Sequence, residues 1–154
     1  MTDEAASNQL PVTRWEHFEH GADIGVRGFG PTLEAAFAQA AVALTAVVAA
    51  PAMVRAHECI EVECEAPDLE MLLMTWLNAV VSQMGIRHML FGRYRVTIQS
   101  RAHQPYHLRG EMWGEAVDVE RHQPSVEVKG ATATELRVVC HPHAGWVAQC
   151  IVDV

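Results

Sequence analysis

The chain is poor in cations for its length, with 11 Lys and Arg against 19 Asp and Glu in 154 residues and a formal net charge of −8. Binding to a nucleic-acid backbone draws its affinity mainly from clustered Lys and Arg. The composition therefore favours a protein or small-ligand partner and leads us to expect no direct nucleic-acid binding. Cysteine is scarce as well: Cys59, Cys64, Cys140 and Cys150 form no C-x-x-C pair. No N-terminal segment joins a basic start, an apolar run and a small-residue cleavage site, so we expect free buried thiols and a cytoplasmic location, not a disulfide framework. Long hydrophobic runs are missing too. The longest, Ala40 to Ala50, contains Thr45 and stops at Pro51, short of the roughly 20 residues that span a bilayer, so no membrane partner is expected. Finally, neither G-x-G-x-x-G nor a Walker motif nor G-x-S-x-G occurs, and "AHEC" (Ala56 to Cys59) lacks the spacing of a zinc deaminase. An enzyme is not the expectation.

What is present is enough apolar material for a core. Half of the residues are apolar, and the length favours one domain. Met1 to Leu10 reads as a loose polar tail, which sets the organisation at a tail over 1–12 and a domain over 13–154. Residues 14 to 29 read as extended, turning at Gly21, with Ile24 and Val26 on one face and Asp23, Gly25 and Arg27 on the other. Thr32 is placed to cap a helix carrying Leu33, Phe37, Ala40, Leu44 and Val47, with Glu34 at its positive end. Ile60, Val62 and Cys64 alternate with Glu61, Glu63 and Glu65, the pattern of a strand with one face in water. Asp68 caps a second amphipathic helix through Leu72, Leu73, Trp76, Leu77 and Val80, expected to end by Gly85. Beyond it, Tyr94 to Ile98, Leu108 to Trp113, Val126 to Val128, Leu136 to Val139 and Trp146 to Val152 are short β-rich runs, read as a strand meander. Two helices on an antiparallel-rich sheet make an α+β fold.

Three stretches could carry chemistry. In the last strand, Asp153 and the α-carboxylate of Val154 set two negative groups side by side, and "FEHGADIGVRGFG" adds Asp23 at a glycine-rich turn. Oxygen ligands of this kind suit Ca²⁺ or Mg²⁺. A frayed, solvated end is the alternative reading. A rival zinc set could draw on His17, His20, Cys140, His141 and His143, although its members are not spaced as two ligand pairs. "WGEAVDVERHQPSVEVKG" (Trp113 to Gly130) reads as a polar loop with Glu115, Asp118, Glu120, Arg121, His122 and Lys129, and such loops on rigid strands concentrate binding residues.

Taken together, "EHGADIGVRGFGPTLEAAF" (Glu19 to Phe37), "APDLEMLLMTWLNAVV" (Ala66 to Val81), "WGEAVDVERHQPSVEVKGAT" (Trp113 to Thr132) and the ending "GWVAQCIVDV" (Gly145 to Val154) resemble the archease family. The resemblance implies a two-layer α+β sandwich. It also implies a protein cofactor, not an enzyme, that stimulates an RtcB-type tRNA-splicing ligase by promoting guanylylation of the ligase's active-site histidine and its multiple turnover. It further implies a metal site, with Ca²⁺ as the metal, at Asp23, Asp153 and terminal Val154, and a ligase-facing surface at His20, Arg121, His122 and Lys129. Where many relatives carry an aromatic after the VKAxT stretch, this chain has Ala133. An independent zinc hydrolase and a chaperone-like binder of RNA-processing proteins are the competing functional readings.

Overall fold

The structure, a computed structural model, describes residues 11–154. The expected tail falls largely outside the described residues, and the first strand begins at Arg14. Eight strands and two long helices follow: β1 (Arg14–His20), β2 (Asp23–Gly30), α1 (Leu33–Val48), β3 (Glu58–Ala66), α2 (Leu69–Arg87), β4 (Met89–Gln99), β5 (Tyr106–Ala116), a one-turn helix α3 (Val119–His122), β6 (Gly130–Ala131), β7 (Arg137–His141) and β8 (Gly145–Asp153). The fold is α+β, as expected. Its strands divide into two antiparallel sheets: β1-β2-β8-β6, with β7 also on β8, and β3-β5-β4.

The caps are those the sequence suggests. The Thr32 side chain accepts from the Ala35 amide at 3.1 Å, and Asp68 accepts from Met71 at 2.8 Å, each satisfying one of the free amides of a first helical turn. The helix α2 does not stop at Gly85. It runs on to Arg87, and His88 takes the left-handed C-cap conformation with φ 54°. By length and composition α2 could cross a bilayer, but Leu72, Leu73, Trp76, Leu77 and Val80 are buried inside the fold.

The alanine-rich helix α1 packs against β2 of the first sheet and β4 of the second. This double contact explains why it is apolar around most of its circumference. Gly28 makes the approach on the β2 side possible, because a Cβ there would fall on the backbone of Ala36 and Ala40. On the other side, the hydroxyl of buried Thr45 donates to the Phe91 carbonyl at 2.6 Å and lies 2.6 Å from the Tyr94 hydroxyl. Trp76 of α2 is wholly buried and donates its indole N–H to the Phe37 carbonyl of α1 at 3.1 Å, joining the two helices.

Other expectations change as well. Val126 to Val128 is not a strand. Its flanks are held by other bonds, Ser125 N–H to Val48 O at 2.9 Å and Lys129 N–H to Asp153 O at 2.8 Å, and only Gly130–Ala131 adds to the sheet. The C-terminal half is also no single meander, because β5 pairs with β3 and β4 while β7, β6 and β8 complete the first sheet. Of the four free thiols, Cys64 and Cys150 are buried, with burial pushing Cys150 up to about 12, whereas Cys59 and Cys140 are exposed.

Gly28→Val should lower stability by about 1–3 kcal/mol, since an overpacked contact against helix backbone has no flexible atom to yield. Thermal or denaturant unfolding would measure this.

Candidate functional site

The antiparallel register builds the site. Ile24 pairs with Val152 and each later residue of β2 with the preceding one of β8, so the next step of the ladder sets Asp23 opposite Asp153. His20 pairs with Asp23 on the other edge, and Gly130 pairs with Asp153. Directly opposed residues share a face. Thus His20, Asp23, Asp153 and Gly130 form one row across four strands. Since Gly28 faces α1 and the side chains alternate, the row lies on the outer face of the sheet. Asp23 is half-buried, Asp153 and His20 are exposed, and terminal Val154 is half-buried beside them. Among the described residues, neither aspartate has a Lys, Arg or His nitrogen within 4.0 Å. By register the structure thus sets Asp23 and Asp153 on one row with His20, with Val154 next along the chain.

The zinc alternative fails on topology. His17 is on the helix-facing side of β1, where its Nε2 lies 2.7 Å from the Ala43 carbonyl, while His20 faces outward. His141 pairs with Gly145 at the β7–β8 hairpin, whereas His17 is in register with Val26 and so with Cys150. Five residues of strand, roughly 17 Å, separate the two halves of that set. No group of three or more His, Cys, Asp and Glu side chains arranged to hold a metal occurs among the described residues.

Arg121 and His122 do not stand free on the surface. Both are engaged by Glu115, whose carboxylate is only 7% exposed. Arg121 donates to both carboxylate oxygens at 2.6 Å and to the Met53 carbonyl at 2.8 Å, and the Arg55 amide adds a bond at 2.7 Å. His122, 4% exposed, accepts the Asp118 amide at Nδ1, 2.9 Å away. Its proton is thereby assigned to Nε2, which donates to Glu115 at 3.0 Å. The Arg121 guanidinium, helped by Arg55 and His122, holds the Glu115 carboxyl well below the usual carboxylate range. Such a network fixes a loop instead of presenting it. Of the sequence-derived partner residues, His20 and Lys129 are the exposed ones.

This clip steers the Trp113–Gly130 segment toward the acidic row. Beyond it, the Ser125 hydroxyl lies within bonding distance of the Val47 and Val48 carbonyls at the end of α1, at 3.1 and 3.3 Å. Asn78 of α2 then clamps Ala131 of β6, accepting its amide at 2.9 Å and donating to its carbonyl at 3.3 Å. Asn78 is not among the sequence-derived candidates, and Glu115 appears there only as one polar residue of the Trp113–Gly130 stretch. Asn78 is legible only as an amide beside the apolar stripe of α2, and the role of Glu115 has no local signal because its partners lie on two segments, at Arg55 and at Arg121–His122. Ala133, at the position where an aromatic is usual, is exposed in the loop after β6.

The sequence pattern of the Archease protein family (MTH1598/TM1083) matches residues 15–154. Among curated proteins, "Protein archease" of Thermococcus gammatolerans is 41% identical over 143 residues, covering 93% of this chain and 100% of the relative. "Protein archease" of Pyrococcus furiosus is 38% identical over 143 residues with the same coverage of each. The solution structure of Methanobacterium thermoautotrophicum protein 1598 superposes with a TM-score of 0.75 at 26% identity, covering 91% of this chain and 98% of that one.

The lowered pKa of Glu115 sets a sign for pH dependence. A carboxyl depressed in the folded state contributes stability above its ordinary value of 4.5 and loses it as the pH falls from there toward the folded value. Glu115→Gln should be less stable than the wild type at neutral pH, and the gap should narrow on acidification below that point. Thermal melts of both proteins across that range measure it; a constant gap would remove Glu115 from the account.

Proposed function

Because the chain belongs to the archease family, we propose that it acts in the cytoplasm as a protein cofactor of an RtcB-type RNA ligase, promoting guanylylation of the ligase's active-site histidine and repeated turnover. The observation that carries this reading is the register of β2 on β8, whose next step sets Asp23 opposite Asp153, with Val154 following in the chain. The donor set is all oxygen, partly exposed, and, among the described residues, without a Lys, Arg or His nitrogen within 4.0 Å of either aspartate. That chemistry fits a hard divalent ion, Ca²⁺ foremost, better than zinc. Asp23, Asp153 and the Val154 carboxylate would hold it, and a bound ion there would supply positive charge to the phosphate oxygens of a nucleotide.

In this reading the chain contributes position and charge, not a nucleophile. Nucleotidyl transfer responds strongly to the alignment of its charged groups, so a rigid acidic row presented to the ligase's nucleotide pocket could speed the step by ordering those groups. The β-ladder makes the row rigid. Lys129 donates its backbone N–H to the Asp153 carbonyl at 2.8 Å and has an exposed ammonium, and His20 is exposed on the same row. These two are the contacts proposed to face the ligase. Arg121 and His122 act at one remove, by holding the loop through Glu115.

The test is the rate of guanylylation of the cognate ligase with substoichiometric amounts of this protein. We expect many ligase molecules modified per molecule added, and loss of that effect after chelation of divalent ions. Asp23→Ala and Asp153→Ala should each abolish stimulation while preserving the unfolding temperature; stimulation at the wild-type level by both variants would sink the proposal. One residue appended after Val154 should weaken Ca²⁺ binding in calorimetry, and unchanged affinity would remove the α-carboxylate from the set.

A further inference from the structure

Further along the outer face of the first sheet, toward the β7–β8 hairpin, two more cross-strand rows line a groove of about 620 Å³. One row runs Glu16, Arg27, Gln149, Arg137; the next runs Arg14, Phe29, Val147, Val139. His141 lies at the hairpin end. Three of the chain's ten arginines thus converge here, and among the described residues Glu16 is the one carboxylate in the lining. A protein with net charge −8 carries a local excess of two positive charges in this groove, before any contribution from His141.

Two of the arginines lie over aromatic rings. Gln149, only 6% exposed, donates to the Glu135 carbonyl at 3.1 Å and accepts Arg27 Nε at 2.7 Å. This lays the Arg27 guanidinium over the Phe18 ring, 4.3 Å from its centroid. Arg14 lies over Phe29 in the same way at 3.9 Å. A single oxygen of Glu16, at 3.5 and 3.6 Å, is shared between these two arginines, and Glu135 stands 3.8 Å from Arg137. One shared carboxylate leaves donors of both guanidinium groups open.

Against the expectation from net charge alone, we propose that this groove binds single-stranded nucleic acid. Guanidinium planes backed by aromatic rings are platforms on which bases stack, and unspent guanidinium donors meet phosphates. An acidic peptide would use the charge but not the ring-backed guanidinium faces, which a base can stack on. The inference is independent of the ligase reading, because Asp23 lies four residues from Arg27 along β2, roughly 13 Å away.

The test is fluorescence anisotropy of a labelled single-stranded oligoribonucleotide of mixed sequence, about 12 nucleotides long, titrated with the full chain. Saturable binding is expected, weakening roughly 20-fold between about 50 and about 200 mM salt if three phosphates are neutralised. The double variant Arg14→Glu/Arg137→Glu should bind at least about tenfold more weakly, and Asp23→Ala should bind as the wild type does. Arg27→Lys keeps the charge and loses the plane, so a drop of at least about threefold is expected. No saturable binding at low salt would overturn the proposal. So would undiminished binding by the double variant or by Arg27→Lys, or equally effective displacement by polyglutamate of the same length.

Discussion

The ladder between β2 and β8 is the constraint on which the rest depends. It joins a strand near the start of the chain to the last one, and its register decides what stands opposite what on both faces. On the inner face it places Val26, Gly28, Ala148, Cys150 and Val152 against the core. On the outer face it aligns Asp23 with Asp153 and Arg27 with Gln149. A slip of one residue would turn the apolar set outward and separate the two aspartates. The burial that fixes the fold therefore also fixes the acidic row, although the row itself is partly in water.

The helix α1 makes that register costly to change. It is small-sided enough to fit between two sheets, and its contact with Gly28 leaves no room for a side chain. Its one wholly buried polar side chain, Thr45, is satisfied by Phe91 and Tyr94. No buried side-chain nitrogen or oxygen lacks a partner among the described residues. In a low-dielectric interior, complete satisfaction of this kind specifies one arrangement. The Glu115 clip extends the same principle to the Trp113–Gly130 segment: a carboxylate removed from water is met by Arg121, His122 and a backbone amide, and the loop that carries these groups is drawn into one path toward β6.

The local pieces of this fold were legible because local physics writes them. Thr32 and Asp68 are capping residues followed by apolar positions at helical spacing, and both caps form. The Glu61, Glu63, Glu65 alternation marks a strand with one wet face, and β3 has one. The misreadings have nonlocal causes. Gly85 looks like a helix stop, yet Met84 accepts the amide of His88, which takes the left-handed turn itself. Val126 to Val128 has a strand's composition, but its neighbours bond to α1 and to Asp153 instead of forming a ladder. Arg121 and His122 look like free cations in a polar loop, and only the approach of Glu115 and Arg55 buries or binds them.

The sequence by itself determined the class of fold, the identities of the acidic groups and the ordered segments that mark the family. Spacing along one chain, read with capping chemistry and side-chain alternation, is enough for these. Tertiary structure alone decided the division into two sheets, the alignment of Asp23 with Asp153 and the gathering of Arg14, Arg27 and Arg137 on one face. The last two join residues more than a hundred positions apart, and the burial of α1 between the sheets selects the pairing that brings them together.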